Sequence, residues 1–140
     1  MRHLPATIFC ACALLTASLA SAASLTIRID DVRSADGTLE VAVYNSAGAF
    51  LKKSVAATGA KAVQGSTTVI VNDLPPGEYA YAIFHDANGN GKMDTNMIGI
   101  PTEDYAFSNN AFGKMGPPKF DAAKFTVPAA GLNATVSLKP

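Results

Sequence analysis

The chain has 140 residues, with 11 Lys and Arg against 11 Asp and Glu, two histidines, two cysteines and no tryptophan. That is the length of one ordinary domain. A charge balance near zero gives no electrostatic case for nucleic acid or anionic membranes as partners.

The first element is a leader. Arg2 and His3 precede an apolar run from Ile8 to Ala20, and Ala20-Ser21-Ala22 has the small-x-small form of a cleavage site. This is the pattern of a secretory signal peptide, and the run is short for a span, which needs roughly 18–20 apolar residues. Cys10 and Cys12 lie inside the run with no Leu-x-small triplet before either, so a lipoprotein reading fails. Residues 1–22 are therefore expected to be removed, with Ala23 as a near alternative end of the leader. That leaves a single domain over residues 23–140, exported to the periplasm or beyond the cell, with no membrane-spanning segment. Both cysteines leave with the leader, and so does His3, so His85 becomes the only histidine and disulfide chemistry is absent.

The rest of the chain reads as strands. Leu25, Ile27 and Ile29 alternate with Thr26 and Arg28, and Leu39, Val41 and Val43 alternate after the turn Ser34–Gly37. Together these make a hairpin. Residues 46–59 alternate poorly; Ala49 to Ala57 is expected to form one or two helical turns, or to cross between sheets. Ser66 to Leu74 is a third strand, ended by the sharp turn that Pro75, Pro76 and Gly77 dictate. Glu78 to Asp86 is apolar on both parities and is expected to be a central strand buried on both faces. Two further strands close the chain, one around Phe125-Thr126-Val127 and one through Leu132, Ala134, Val136 and Leu138. The fold expected is an all-β antiparallel sandwich of about seven strands, immunoglobulin-like or prealbumin-like.

Between the central strand and the closing strands runs a segment from Ala87 to about Asp121. It is rich in Gly, Pro and Asn and far longer than the usual connection of about 4–6 residues. Its start, His-Asp-Ala-Asn-Gly-Asn-Gly-Lys-Met-Asp, carries oxygen side chains at alternate positions. Calcium loops use positions 1, 3 and 5, a glycine at 6, a main-chain carbonyl at 7 and a ligand at 9. Asp86, Asn88, Asn90, Gly91, Lys92 and Asp94 fall on those positions in turn. Position 12 is Met97, which cannot ligate a hard cation, so Glu103 further along is the candidate for the missing ligand, with Asp104 beside it. The competing reading needs no ion: Asn-Gly pairs are strong turn formers.

Further along, Tyr105, Phe107, Phe112 and Phe120 are expected to anchor the segment, with Ser108, Asn109 and Asn110 capping its main chain. The alternative is a small-molecule or carbohydrate site on Tyr105, Phe107, Asn109 and Asn110. The lack of tryptophan weakens its carbohydrate form. A surface for a protein partner would require an exposed apolar patch.

The stretch Leu74 to Phe125 resembles the bacterial domain-of-unknown-function 2141 family. The likeness rests on the Pro-Gly-x-Tyr turn, the His-Asp-x-Asn-x-Asn-Gly-Lys-x-Asp loop, Gly-Ile-Pro-x-Glu-x-Tyr, Phe-Ser-Asn-Asn and Gly-Pro-Pro-x-Phe, all in order. Ala106 stands where glycine often precedes the Phe-Ser-Asn-Asn. The resemblance implies a small secreted protein without an established activity.

Catalysis is not expected. One histidine and no cysteine assemble neither a His-rich zinc site nor a thiol nucleophile, and Asp86 beside His85 points to the opposite face of its strand. The chain ends Val-Ser-Leu-Lys-Pro rather than in the Tyr-Arg-Gly-Ser of the urate-pathway hydrolases on the prealbumin-like fold.

Overall fold

The computed structural model describes residues 22–140. The expected leader therefore lies outside the described residues, Ala22 apart. Eight strands follow in chain order: β1 (Ala23–Val32), β2 (Thr38–Tyr44), β3 (Ala56–Lys61), β4 (Gly65–Leu74), β5 (Gly77–Asp86), β6 (Tyr105–Phe107), β7 (Phe125–Val127) and β8 (Leu132–Ser137). A short helix, α1 (Phe120–Ala123), precedes β7. None of the described helices is long and apolar enough to cross a membrane.

The strands form two sheets packed as a sandwich. One has the order β4-β1-β8 and the other β3-β2-β5-β6, with β7 also paired to β5. The sequence hairpin β1–β2 is thus split between the sheets: β1 pairs with β4 and β8, and β2 with β3 and β5. All pairings are antiparallel except one. β8 runs parallel to β1, with Ile27 opposite Ala134 and Ile29 opposite Val136. Alternation alone carries no strand direction, so this pair was invisible in the sequence.

The core follows from the period of two. Leu25, Ile27 and Ile29 from one sheet meet Leu39, Val43, Tyr81 and Ile83 from the other, all within one sealed cluster. Burial pushes the phenol pKa of Tyr81 up to about 12, because a phenolate there would lose its water. A second cluster lies on the outer face of the larger sheet, where Tyr44, Phe50, Phe107, Phe120 and Ala123 cover Ala80. Its rings meet edge to face, with Phe50 5.9 Å from Phe120 and 6.3 Å from Phe107. Central strand β5 is thus buried on both faces at Tyr79–Tyr81 and again at His85–Asp86, while Glu78 is exposed and Ala82 and Phe84 are half-buried.

Two strands went unread in the sequence. Ser46 to Lys53 turns helically, Phe50 N–H donating to the Ser46 carbonyl at 3.0 Å, but the chain then enters β3. That strand consists of small and polar residues and offers no apolar alternation; pairing with β2 creates it. β6 is three residues long, too short for any periodicity. It shares one edge of β5 with β7, β6 taking Ala82–Phe84 and β7 taking Gly77–Tyr79.

Candidate functional site

Strand β5 delivers Asp86 to the mouth of the long segment. Asp86 is buried, and both its oxygens accept main-chain hydrogens from the loop that follows: Oδ1 from Asn90 N–H at 3.1 Å and Oδ2 from Gly91 N–H at 2.7 Å. Gly91 has φ +77°, a left-handed value that turns its amide back onto the carboxylate and that glycine adopts without strain. Asn88 and Asn90 each close a local turn, accepting from Asn90 N–H and Lys92 N–H respectively, both at 3.1 Å. Their amide groups then converge on one carboxylate. Asn88 Nδ2 donates to Asp94 at 2.5 Å, and Asn90 Nδ2 donates to its two oxygens at 2.8 and 2.9 Å. These bonds, those from Asn90 first, hold the Asp94 carboxyl below the usual carboxylate range, with Lys92 adding a favourable charge.

Glu103 arrives from the far side of the segment. Its Oε2 accepts Asp94 N–H at 3.0 Å, while its Oε1 is buried without a hydrogen-bond partner. Thr102 N–H donates to the Asp94 carbonyl at 2.9 Å, so residues 94–103 close as a loop on themselves. Asp104 is held by Arg33 at 2.7 Å, and its carbonyl accepts His85 N–H. His85 itself is buried, its Nε2 donating to the Asp36 carbonyl at 2.7 Å.

The expected ligand set thus splits. Asp86, Asn88, Asn90, Asp94 and Glu103 are linked by hydrogen bonds, whereas Lys92 contributes only its main chain. Among the described residues, no three of His, Cys, Asp and Glu gather closely enough to hold a metal between them. Any cation here draws on asparagine and main-chain oxygens as well.

The second expected set is used differently. Asn109, at φ +62°, donates from Nδ2 to the Lys124 carbonyl at 2.9 Å and the Ala122 carbonyl at 3.3 Å. Asn110 accepts Ser137 N–H through Oδ1 at 2.9 Å. Both amides therefore tie the segment to α1 and β8. Ser108 completes the tie: its fully buried Oγ accepts Tyr81 N–H at 3.0 Å and donates to the Ala123 carbonyl at 2.6 Å. Phe107 belongs to the second core cluster. Tyr105 is half-buried and, with the half-exposed Phe112, floors an open cleft of about 500 Å³ between the turns at residues 98–101 and 113–116.

Two contributors escaped the sequence reading. Asn96 pins the first of those turns, its Oδ1 accepting from Ile98 N–H and Ile100 N–H at 3.0 Å each. The Asn-x-x-Gly spacing was the available signal. Gly37, at φ +65°, lies so close to the Asp86 carbonyl that a Cβ would sit 1.9 Å from that oxygen. Only the fold reveals that approach.

Residues 27–135 match a family model described as an uncharacterized protein conserved in bacteria, DUF2141. The match spans well over half the chain, and the chain belongs to that family. No curated protein and no solved structure matches it, so the likeness to prealbumin-like modules has no solved neighbour behind it.

Proposed function

We propose that this member of the DUF2141 family is an exported, non-catalytic sandwich domain whose Asp86–Asp94 loop takes up a divalent cation, calcium by its ligand chemistry. The cation clasps the long segment to the end of β5. The observation that carries the reading is Glu103 Oε1, a buried carboxylate oxygen without a hydrogen-bond donor beside Asp94. A buried oxygen left in that state costs about 1–3 kcal/mol, and a hard cation would satisfy it. Asp86, Asn88 and Asn90 supply further oxygens at the alternate spacing calcium loops use. Each of those oxygens that already accepts an N–H keeps another lone pair. The low ligand charge places the affinity in the weak range of extracellular modules, about 10⁻⁴–10⁻³ M.

Thermal unfolding tests it. A cation that binds only the folded chain stabilises it by mass action, about 2.7 kcal/mol at a hundredfold excess over Kd. The midpoint is expected to rise with millimolar Ca²⁺, to fall back with chelator, and to stop responding in Asp94→Ala and Glu103→Gln. A midpoint indifferent to Ca²⁺ in the unsubstituted protein rules the cation out and leaves the loop as a hydrogen-bonded turn.

A further inference from the structure

The long segment carries an apolar surface that the cation reading does not use. Met97 and Met115 are fully exposed (104% and 102%), Ile98 is 79% exposed, and Ile100 and Phe112 are about half exposed. Ile98, Ile100, Phe112 and Met115 line the open cleft above Tyr105, and Met97 directly precedes Ile98. Met97, Ile98 and Met115, the most exposed of them, belong to the two turns on either side and project as tips. Two ammonium groups stand at the cleft. Lys114 lines the cleft, Lys139 stands 5.9 Å over the Phe112 ring, and neither meets a carboxylate among the described residues. Each acid of the segment has a partner inside the protein: Asp94 accepts the Asn88 and Asn90 amides, Asp104 is paired with Arg33, Asp121 meets Lys124, and Glu103 holds Asp94 N–H while its other oxygen is buried.

Projecting Met and Ile tips with a lysine collar form the amphipathic arrangement that settles at a bilayer surface. The apolar groups enter the acyl boundary, and the ammonium groups remain among anionic headgroups. A protein interface shares the preference for methionine and aromatic rings but is depleted in lysine, whereas Lys114 and Lys139 stand at this cleft. We infer that the turns at residues 97–101 and 112–116 are a docking face for an anionic phospholipid bilayer, with Met97, Ile98 and Met115 as the inserting side chains.

The test is co-sedimentation of residues 22–140, which contain all eight strands and both core clusters, with phosphatidylglycerol-containing or pure phosphatidylcholine vesicles. It is done in chelator, so failure of the cation reading leaves the result intact. Binding to the anionic vesicles is expected to exceed binding to neutral ones by at least about tenfold and to weaken with salt. The combined substitution Met97→Ser, Ile98→Ser and Met115→Ser is expected to reduce it by about tenfold or more, with an unchanged unfolding midpoint because all three are exposed. Lys114→Gln with Lys139→Gln is expected to abolish the preference for anionic lipid. The proposal is overturned by absence of vesicle binding, or by equal binding of the triple variant. It is overturned too if the unsubstituted protein ignores vesicles but self-associates in gel filtration and the triple variant does not; the face is then a protein interface.

Discussion

The space between the sheets and the segment from Ala87 to Asp121 are held together by different forces. Between the sheets, Leu25, Ile27, Ile29, Leu39 and Val43 have no exposed surface at all, and stability there follows apolar area removed from water. In the segment, closure rests on side chains bonded to main chain: Asp86 to Asn90 and Gly91, Asn96 to Ile98 and Ile100, Ser108 to Tyr81 and Ala123, Asn110 to Ser137. Apolar groups there are divided among the second core cluster, open solvent and, at Ala106, the inter-sheet core. A sandwich sealed by burial can thus carry an irregular excursion of some 30 residues, provided polar clips answer for its main-chain groups.

The comparison breaks most visibly at Ile27. Ile27→Ala leaves a cavity in the sealed core and is expected to cost about 2–5 kcal/mol, read as a lower denaturant midpoint by every probe at once. Gly37→Ala should follow at about 2–4 kcal/mol, since the methyl group meets the Asp86 carbonyl and the left-handed φ strains alanine. Its loss should register both in sheet unfolding and in the loop, because Gly37 is where the β1–β2 turn touches the start of the segment. Ser108→Ala leaves Tyr81 N–H and the Ala123 carbonyl without their partner inside the protein, at about 1–3 kcal/mol. Limited proteolysis near residues 108–124 should accelerate in this variant while the inter-sheet core keeps its amide protection.

The smallest effect is electrostatic. Asp94 titrates below its ordinary value of 3.8 in the folded chain. Its contribution to stability is therefore fully present above that value and lost as pH falls through the lower folded one. Carboxyl chemical shifts followed against pH should show a midpoint under 3.8 for Asp94, and Asn90→Ala should move it upward, since the Asn90 amide is the largest cause of the depression.

How legible each region was follows from what holds it. Burial writes itself as alternation in β1, β2, β4 and β8 and as a run apolar on both parities in β5, so these stood out. β3, made of Ala, Thr, Gly and Lys, did not, because its place comes from pairing to β2 rather than from its own apolar face. The parallel run of β8 along β1 was hidden for the same reason. In the segment, Asp86, Asn88, Asn90 and Asp94 were recognisable from spacing, since turn chemistry is local. Asn109 and Asn110 were recognisable as polar but not as ties to Lys124 and Ser137, because their partners lie 15 and 27 residues away.

Hydrogen–deuterium exchange resolved to single amides, with and without millimolar Ca²⁺, puts the central claim to its most direct test. The amides of Asn90, Gly91 and Asp94 report on the Asp86 and Glu103 carboxylates. If the loop is a cation clasp, calcium slows exchange at these three and along residues 95–104, leaving β1, β2 and β8 as they were. Exchange rates in the loop that are the same with calcium and with chelator would contradict the account.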